Sequence, residues 1–116
     1  MNNPIADKSL DFAVRVVKLS QLLRERKEFE LAKQLVRSGT SIGANVAEAQ
    51  RAQSDKDFLS KMYIAAKEAS ETEYWLLVLS KAEVLSVNEF KSINTDLKEI
   101  IRILMAITKS LEQKLK

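Results

Sequence analysis

The stretch RSGTSIGANVAEAQRAQS, from Arg37 to Ser54, contains both glycines of the chain, Gly39 and Gly43. A glycine inside a helix costs about 1 kcal/mol relative to alanine, so two of them require a compensating contact. Gly39, Gly43 and Ala47 are spaced by four residues and lie along one side of a helix with almost no side-chain height. We therefore expect another helix to pack closely against this side, by the steric argument known from small residues in membranes.

The alternative is that Gly39 ends one helix and that a new helix begins at Thr40 or Ser41. Apolar residues keep helical spacing across the site: Val36, Ile42, Val46 and Ala49. This spacing favours one continuous helix.

The composition of the whole chain is also typical of a helical protein. The chain has 116 residues, 46% apolar and 30% charged, with one proline and no cysteine. This size predicts a single domain over residues 1–116, and the scarcity of turn residues favours a helical bundle over strands. Without cysteine there is no disulfide or thiolate metal site, and we expect a reducing, cytoplasmic location.

Periodicity and caps predict four helices with short joins. Ser54 with Asp57 and Ser86 with Glu89 have the spacing of capping boxes. The predicted helices cover about residues 7–26, 28–51, 55–82 and 87–115, with Asn3 and Pro4 as an alternative earlier start of the first helix. Short joins force neighbouring helices to run antiparallel, so the predicted fold is all-α, an up-down-up-down antiparallel four-helix bundle.

The first helix is apolar over an unusually wide arc. Two stripes run along it: Phe12, Val16, Leu19 and Leu23 form one, and Leu10, Val14 and Val17 form the other. A helix of this kind needs neighbours on two sides, which indicates either a central place in the bundle or a subunit interface, and we favour the interface. The N-terminus of the chain lacks the pattern of a signal peptide, and the longest apolar runs of the chain are too short to span a membrane.

The net charge of +3 is distributed unevenly along the chain. Residues 1–53 carry nine basic and six acidic side chains, whereas residues 54–116 carry ten of each. A basic surface on the first helix is therefore the predicted phosphate-facing site, extended by two arginines of the second: Arg15, Lys18, Arg24, Arg26, Lys27, Arg37 and Arg51. The alternative interpretation is an ordinary solvated surface.

Polar residues on helices two and three predict a buried network. Arg37, Ser41, Asn45 and Glu48 share one side of helix two, while Glu68 and Glu71 lie between apolar positions of helix three. Unpaired burial of carboxylates is costly, so we expect Arg37 or Asn45 to pair with them and fix the register of the two helices. The alternative is a ligand or metal site built from Glu48, Glu68 and Glu71, but the chain has no histidine to complete a di-iron site. We predict no cofactor.

Catalysis has little support in the residues. The absence of His and Cys removes the commonest general base and the thiol nucleophile, and the glycine spacing fits no phosphate-binding loop. The sequence therefore predicts a protein that is not an enzyme.

The segment Gln34 to Leu85 resembles the "four helix bundle protein" family, also called the 23S rRNA intervening-sequence proteins. The likeness rests on three pieces: Gln34, Leu35 and Arg37; the run SIGANVAEA from Ser41; and KEASETEYWL from Lys67. Many relatives have Arg-Gly-Ser before the second acidic motif, where this chain has Ala66, Lys67 and Glu68, which indicates a different branch.

This resemblance implies a ring-like homo-oligomer, a homopentamer around a central channel. A related protein, the accessory variability determinant of diversity-generating retroelements, is a basic pentamer that binds a reverse transcriptase and associates with nucleic acid. Five copies of this chain would carry about +15, a strong field for phosphates. The predicted function is thus a non-enzymatic oligomeric scaffold that associates with nucleic acid, with a reverse-transcriptase-like partner also implied. The alternative is a protein-interaction ring without a nucleic-acid role.

Overall fold

The computed structural model describes residues 3–116, which form four helices and no strand. The helices are α1 Pro4–Glu25, α2 Phe29–Ala49, α3 Asp55–Lys81 and α4 Val87–Lys114. They pack into one four-helix bundle, so the all-α prediction is confirmed.

The first helix begins at Pro4, three residues before the predicted Asp7. The side chain of Asn3 accepts a hydrogen bond from the Ala6 N–H at 3.3 Å and caps the helix. Pro4 occupies the first helical position, where its missing N–H needs no partner. The earlier cap therefore defines the start of α1.

The starts of α3 and α4 lie where their caps predict. The Ser54 hydroxyl accepts from the Asp57 N–H, at 3.1 Å. At α4 the capping box is complete, because Ser86 accepts from the Glu89 N–H and Glu89 accepts from the Ser86 N–H.

Two of the joins reverse the chain through left-handed residues that are not glycine. Lys27 follows α1 with a φ of 66°, and Glu83 follows α3 with a φ of 62°. Backbone hydrogen bonds close both turns, from the Glu28 N–H to the Leu23 carbonyl and from the Val84 N–H to the Leu79 carbonyl, each at 2.9 Å. These turns end α1 at Glu25 and start α2 at Phe29, close to the predicted 26 and 28.

Neighbouring helices run antiparallel around a shared core. Ion pairs between helices show this orientation, because the residue numbers rise along one helix as they fall along its neighbour. The pairs are Lys8–Glu99 and Arg26–Glu89 between α1 and α4, Arg37–Glu68 and Glu48–Lys61 between α2 and α3, and Glu73–Lys98 and Asp55–Lys114 between α3 and α4. Within the described residues α1 contacts α2 and α4 but not α3, so α1 and α3 are diagonal. The core contains the predicted first stripe of α1 and the buried apolar side of α4, among them Phe12, Val16, Leu97 and Leu104.

The glycine side of α2 packs against α1. α2 continues without interruption through both glycines, and neither has a positive φ. A methyl group added at Gly39 would lie 2.8 Å from both γ-carbons of Val16, and one added at Gly43 would lie 3.2 Å from the Ser9 carbonyl oxygen. The absence of these side chains therefore sets how closely α1 and α2 approach.

Ala47 does not take part in this packing, contrary to its predicted place beside the glycines. It is exposed, whereas Gly39 is buried and Gly43 is intermediate. Each step of four residues rotates a position by about 40° around the helix, so the third small residue has turned out of the interface.

We predict that Glu89→Gln lowers the free energy of unfolding by about 1 kcal/mol at neutral pH, because it removes the charged partner of Arg26 and weakens the cap of α4. The Arg26 guanidinium and the Ser86 backbone N–H lower the pKa of Glu89 from 4.5 to about 2. A carboxyl with a lowered folded-state pKa stabilises the fold above its unfolded-state pKa, and this contribution is lost as the pH falls through the folded-state value. In urea unfolding, the difference between parent and variant should therefore shrink between pH 4.5 and about pH 2.

The matched control is Glu30→Gln, which removes an exposed first-turn acid of α2 that has no ion pair in residues 3–116. It should show a smaller difference that depends less on pH. A Glu89→Gln difference that stayed constant down to pH 2 would contradict the role given to this pair.

Candidate nucleic-acid interface

The sequence-predicted phosphate site is divided by ion pairs. Arg15 pairs with Asp96 at 2.5 Å and donates to the hydroxyl of Ser92 at 2.8 Å. Arg26 pairs with Glu89 at 2.8 Å and donates to the Val84 carbonyl at 2.6 Å. Both arginines thus link α1 or its C-terminal cap to α4 or the residues just before it, and their predicted contact with phosphates stays a prediction that requires these exposed ion pairs to open.

Arg37 is also engaged within the bundle. It pairs with Glu68, at 3.4 Å, and with Glu71 on α3. The other predicted cations are exposed and have no ion pair within residues 3–116: Lys18, Arg24, Lys27 and Arg51. Arg51 follows the end of α2, near the start of α1, so it lies at the opposite end of the bundle from Arg24 and Lys27. The structure therefore does not bring the seven residues together into one surface.

The ion pairs that engage the cations of α1 engage the carboxylates of α4, and not its cations. Its acidic side chains contact other helices: Glu89, Asp96 and Glu99 pair with cations of α1, and Glu112 accepts a hydrogen bond from the Tyr63 hydroxyl of α3. Glu99 raises the pKa of Lys8, through a hydrogen bond and its charge, and Glu112 raises the pKa of Tyr63 in the same way. The carboxylates of α4 are thus directed toward α1 and α3.

The outer side of α4 carries a row of cations, which we call the α4 row: Lys91, Lys98, Arg102 and Lys109. The four positions fall within about 40° of one another around the helix and extend over about 27 Å. Lys98 forms a surface ion pair with Glu73 at 2.9 Å, and the other three have no ion pair within the described chain. Sequence reasoning missed this row because α4 has nearly balanced charge, and only the contacts show where its acids point.

The predicted polar network of α2 and α3 forms in part. Arg37 pairs with Glu68, whose side chain is 16% exposed, and with Glu71, which also accepts from the Trp75 indole N–H at 3.2 Å. Ser41 and Asn45 donate instead to carbonyls four residues earlier in their own helix. Short polar side chains reach these carbonyls more easily than a neighbouring helix, so neither residue contacts the carboxylates.

Glu48 is separate from this network. It lies about 16 Å along α2 from Arg37, and because α3 runs antiparallel it meets Lys61 at 3.2 Å. Glu48, Glu68 and Glu71 therefore do not converge, and no cluster of three or more metal-ligating side chains occurs in residues 3–116.

A buried hydroxyl pair that the sequence did not reveal joins α2 and α3. Thr72 donates to Ser38 at 2.9 Å, and both residues are fully buried. Ser38 and Thr72 directly follow Arg37 and Glu71 in the sequence, so this buried contact lies beside the Arg37 ion pairs and helps to set the same register.

The second apolar stripe of α1 is exposed in this chain. Leu10 is 64% exposed, and Val14 and Val17 are also exposed. Beside it a groove of about 430 Å³ runs between α1 and α2, lined by small residues that include Ala13, Gly43, Ala44 and Ala47. We call this groove, which Leu10 also lines, the α1/α2 groove.

A second exposed apolar surface lies on α3, the helix diagonal to α1. We call it the α3 ridge: Tyr63, Tyr74 and Leu77, flanked by the exposed lysines Lys67 and Lys81. The α1/α2 groove opens between α1 and α2, whereas the α3 ridge lies on α3, so the two surfaces lie on different sides of the bundle. Across the described residues, no helix is both long and apolar enough to cross a membrane.

Comparison with known proteins places this geometry in context. The family described as 23S rRNA-intervening sequence protein matches residues 1–106. A crystal structure of a protein with unknown function from the S23 ribosomal protein family, from Bacteroides thetaiotaomicron VPI-5482, is similar to the chain, with a TM-score of 0.88 and 53% identity. The similarity covers 90% of this chain and 98% of that one. A comparison with curated proteins found no match.

Proposed function

Since the chain belongs to the 23S rRNA-intervening sequence protein family, we propose that it is a non-enzymatic, self-assembling scaffold that associates with the phosphate backbone of nucleic acid. The observation that carries the proposal is the distribution of charge after pairing. Carboxylates of α4 are used within the bundle, whereas exposed cations on several helices, among them Lys18, Arg24, Lys91 and Arg102, keep no ion pair among the described residues. Such cations bind phosphates without reading sequence.

Self-assembly is supported by the two apolar surfaces. The α1/α2 groove and the α3 ridge are different exposed surfaces of one chain, so in a head-to-tail contact the ridge of one copy packs into the groove of the next. Contacts of this kind close into rings when the rotation between copies permits. Charge favours the same pairing, because Asp7 and Asp11 lie exposed beside Leu10, while Lys67 and Lys81 flank the ridge. The homopentamer implied by the resemblance is such a ring.

Assembly and phosphate binding reinforce each other. Each chain carries +3, and a ring of five would carry about +15. A cationic assembly of this size attracts a polyanion over a longer range than one chain, and its contacts weaken together as salt rises. We place this activity in the reducing cytoplasm, consistent with a chain that has no cysteine.

We predict that the protein binds both RNA and DNA at about 50 mM salt and that its affinity falls steeply, roughly linearly in logarithmic terms, by about 200 mM. Fluorescence anisotropy with labelled RNA and DNA of unrelated sequences measures this dependence. Similar affinity for all sequences is expected, because phosphates carry no sequence information. No detectable binding at about 50 mM salt would refute the nucleic-acid part of the proposal.

The second candidate function, a protein-interaction ring without a nucleic-acid role, is favoured by exposed apolar side chains outside the head-to-tail contact. Phe29 at the start of α2 is 60% exposed and Val87 at the start of α4 is 65% exposed, so both stay available to a protein partner. A partner protein recovered equally well after nuclease treatment and from a Lys18→Glu variant would favour this function. A partner lost with the nucleic acid would favour the first.

A further inference from the structure

We propose that the α4 row is the surface that holds nucleic acid, and that its partner is a duplex contacted through its backbone. This inference rests on the proposed function and assigns it to one helix. The row contains Lys91, Lys98, Arg102 and Lys109, and the residues between them on the same side of α4 are Thr95 and Met105. Glu99 borders the row, since it lines the same surface depression as Lys91, Lys98 and Arg102, but its carboxylate pairs with Lys8 of α1 at 2.6 Å.

The acids nearest to the row are already engaged by partners. Asp96 and Glu99 point to α1, where Arg15 and Lys8 pair with them, and Glu112 points to Tyr63 on α3. Glu73 pairs with Lys98, but this pair is exposed, with 64% of the lysine side chain accessible, and exposed pairs are weak. A phosphate can therefore replace Glu73 at Lys98 with little loss.

The shape of the row favours a duplex over a single strand. The four cations lie on one rigid helix and extend over about 27 Å, the length of about eight base pairs of a duplex. Single-strand sites combine cations with exposed aromatic platforms on which bases stack. The row carries none: Phe90 at its edge is half-buried, and the exposed tyrosines Tyr63 and Tyr74 belong to α3. The α4 row, which is straight and has no stacking side chains, therefore suits the rigid phosphate backbone of a duplex.

An anionic membrane fits the row less well. A helix that lies on a membrane inserts a broad apolar face between lipids. The apolar face of α4 is buried in the bundle core, including Ile93, Leu97 and Leu104, and Met105 is the one exposed large apolar side chain within the row. The row therefore offers charge without an inserting surface.

The test compares two variants with the same change in charge. The first, Lys91→Gln/Arg102→Gln/Lys109→Gln, removes the three cations of the row without an ion pair. The control, Lys33→Gln/Lys56→Gln/Lys116→Gln, removes three exposed cations, from α2, α3 and the residues after α4, that also have no ion pair in the described chain. Both sets are surface changes, and circular dichroism and thermal melting of each variant check that the bundle is retained.

Binding is measured against duplex RNA, duplex DNA and single strands of equal length across a salt series. We expect the parent to prefer duplexes, the α4 variant to bind them tenfold or more weakly at about 50 mM salt, and the control to lose less than threefold. The slope of log affinity against log salt should fall by about one for each cation removed from the row.

Three results would overturn the inference. Equal losses in the two variants would mean that the overall positive charge of the protein, and not the α4 row, binds the polyanion. The proposed function would then stand. Tighter binding of single strands than duplexes by the parent would contradict the assigned partner. Vesicles containing phosphatidylserine that displaced the duplex at equal phosphate concentration would assign the row to a membrane surface. Absence of any nucleic-acid binding by the parent would instead refute the proposed function itself.

Discussion

Replacing both Gly39 and Gly43 with leucine is expected to lower the free energy of unfolding by about 4 kcal/mol or more, a large share of the 5–15 kcal/mol typical of a domain. At Gly39 even a methyl group would lie 2.8 Å from the γ-carbons of Val16, which is fully buried and branched at Cβ. The rigid valine cannot move aside, so α1 must shift away from α2. Urea unfolding of parent and variant measures the loss.

Single alanine substitutions separate the two positions. Gly39→Ala should destabilise by about 1–2 kcal/mol, because overpacking outweighs the gain in helix propensity. Gly43→Ala should be nearly neutral, since the tighter contact with the Ser9 carbonyl oxygen at 3.2 Å is offset by about 1 kcal/mol of propensity. In a Val16→Ala background Gly39→Ala should cost less, because the atoms it collides with are gone. A double leucine variant as stable as the parent would refute the close-packing explanation.

The second large effect concerns assembly. Leu10→Lys/Val14→Lys should dissociate the proposed oligomer into single chains, because one cation in the α1/α2 groove, at Leu10, and one on the exposed stripe beside it, at Val14, would face the lysines of the α3 ridge. The two positions are exposed within one chain, so the bundle itself should remain folded. Light-scattering mass and circular dichroism of the same sample distinguish dissociation from unfolding.

The control for assembly changes two exposed apolar residues on another helix. Val87→Lys/Met105→Lys alters side chains on α4, away from both proposed contact surfaces. It should leave the mass unchanged. Equal loss of assembly in both double variants, or no loss in the first, would contradict the head-to-tail contact.

Local signals predicted most of the fold. Ser54 and Ser86 begin α3 and α4 because the capping partners lie three residues ahead, within reach of a sequence pattern. The glycines of α2 were correctly assigned to a continuous helix from the spacing of their apolar neighbours. The end of α1 was harder to place, because its turn uses Lys27 in a left-handed conformation where a pattern would look for glycine.

The candidate site depended on contacts between distant residues. Lys8 and Glu99 are ninety-one positions apart, and nothing in the local sequence around either indicates the other. Counting charges along the chain placed the basic surface on α1, whereas the contacts pair Arg15 and Arg26 with carboxylates of α4 and leave Lys91, Arg102 and Lys109 of α4 without an ion pair in the described chain. Net charge per segment does not reveal this pairing, and only the positions of the acids show which cations remain without an ion pair.

The most direct test of the central claim, a self-assembling scaffold that holds nucleic acid, is the light-scattering mass of the parent chain at about 50 and about 500 mM salt, with and without duplex RNA. Without RNA, the mass should be a constant multiple of 13.1 kDa at both salt concentrations, because apolar contacts resist salt. With RNA, the mass should increase by that of the bound duplex at low salt and return to the protein value at high salt. A mass of 13.1 kDa under all four conditions would contradict both the assembly and the binding.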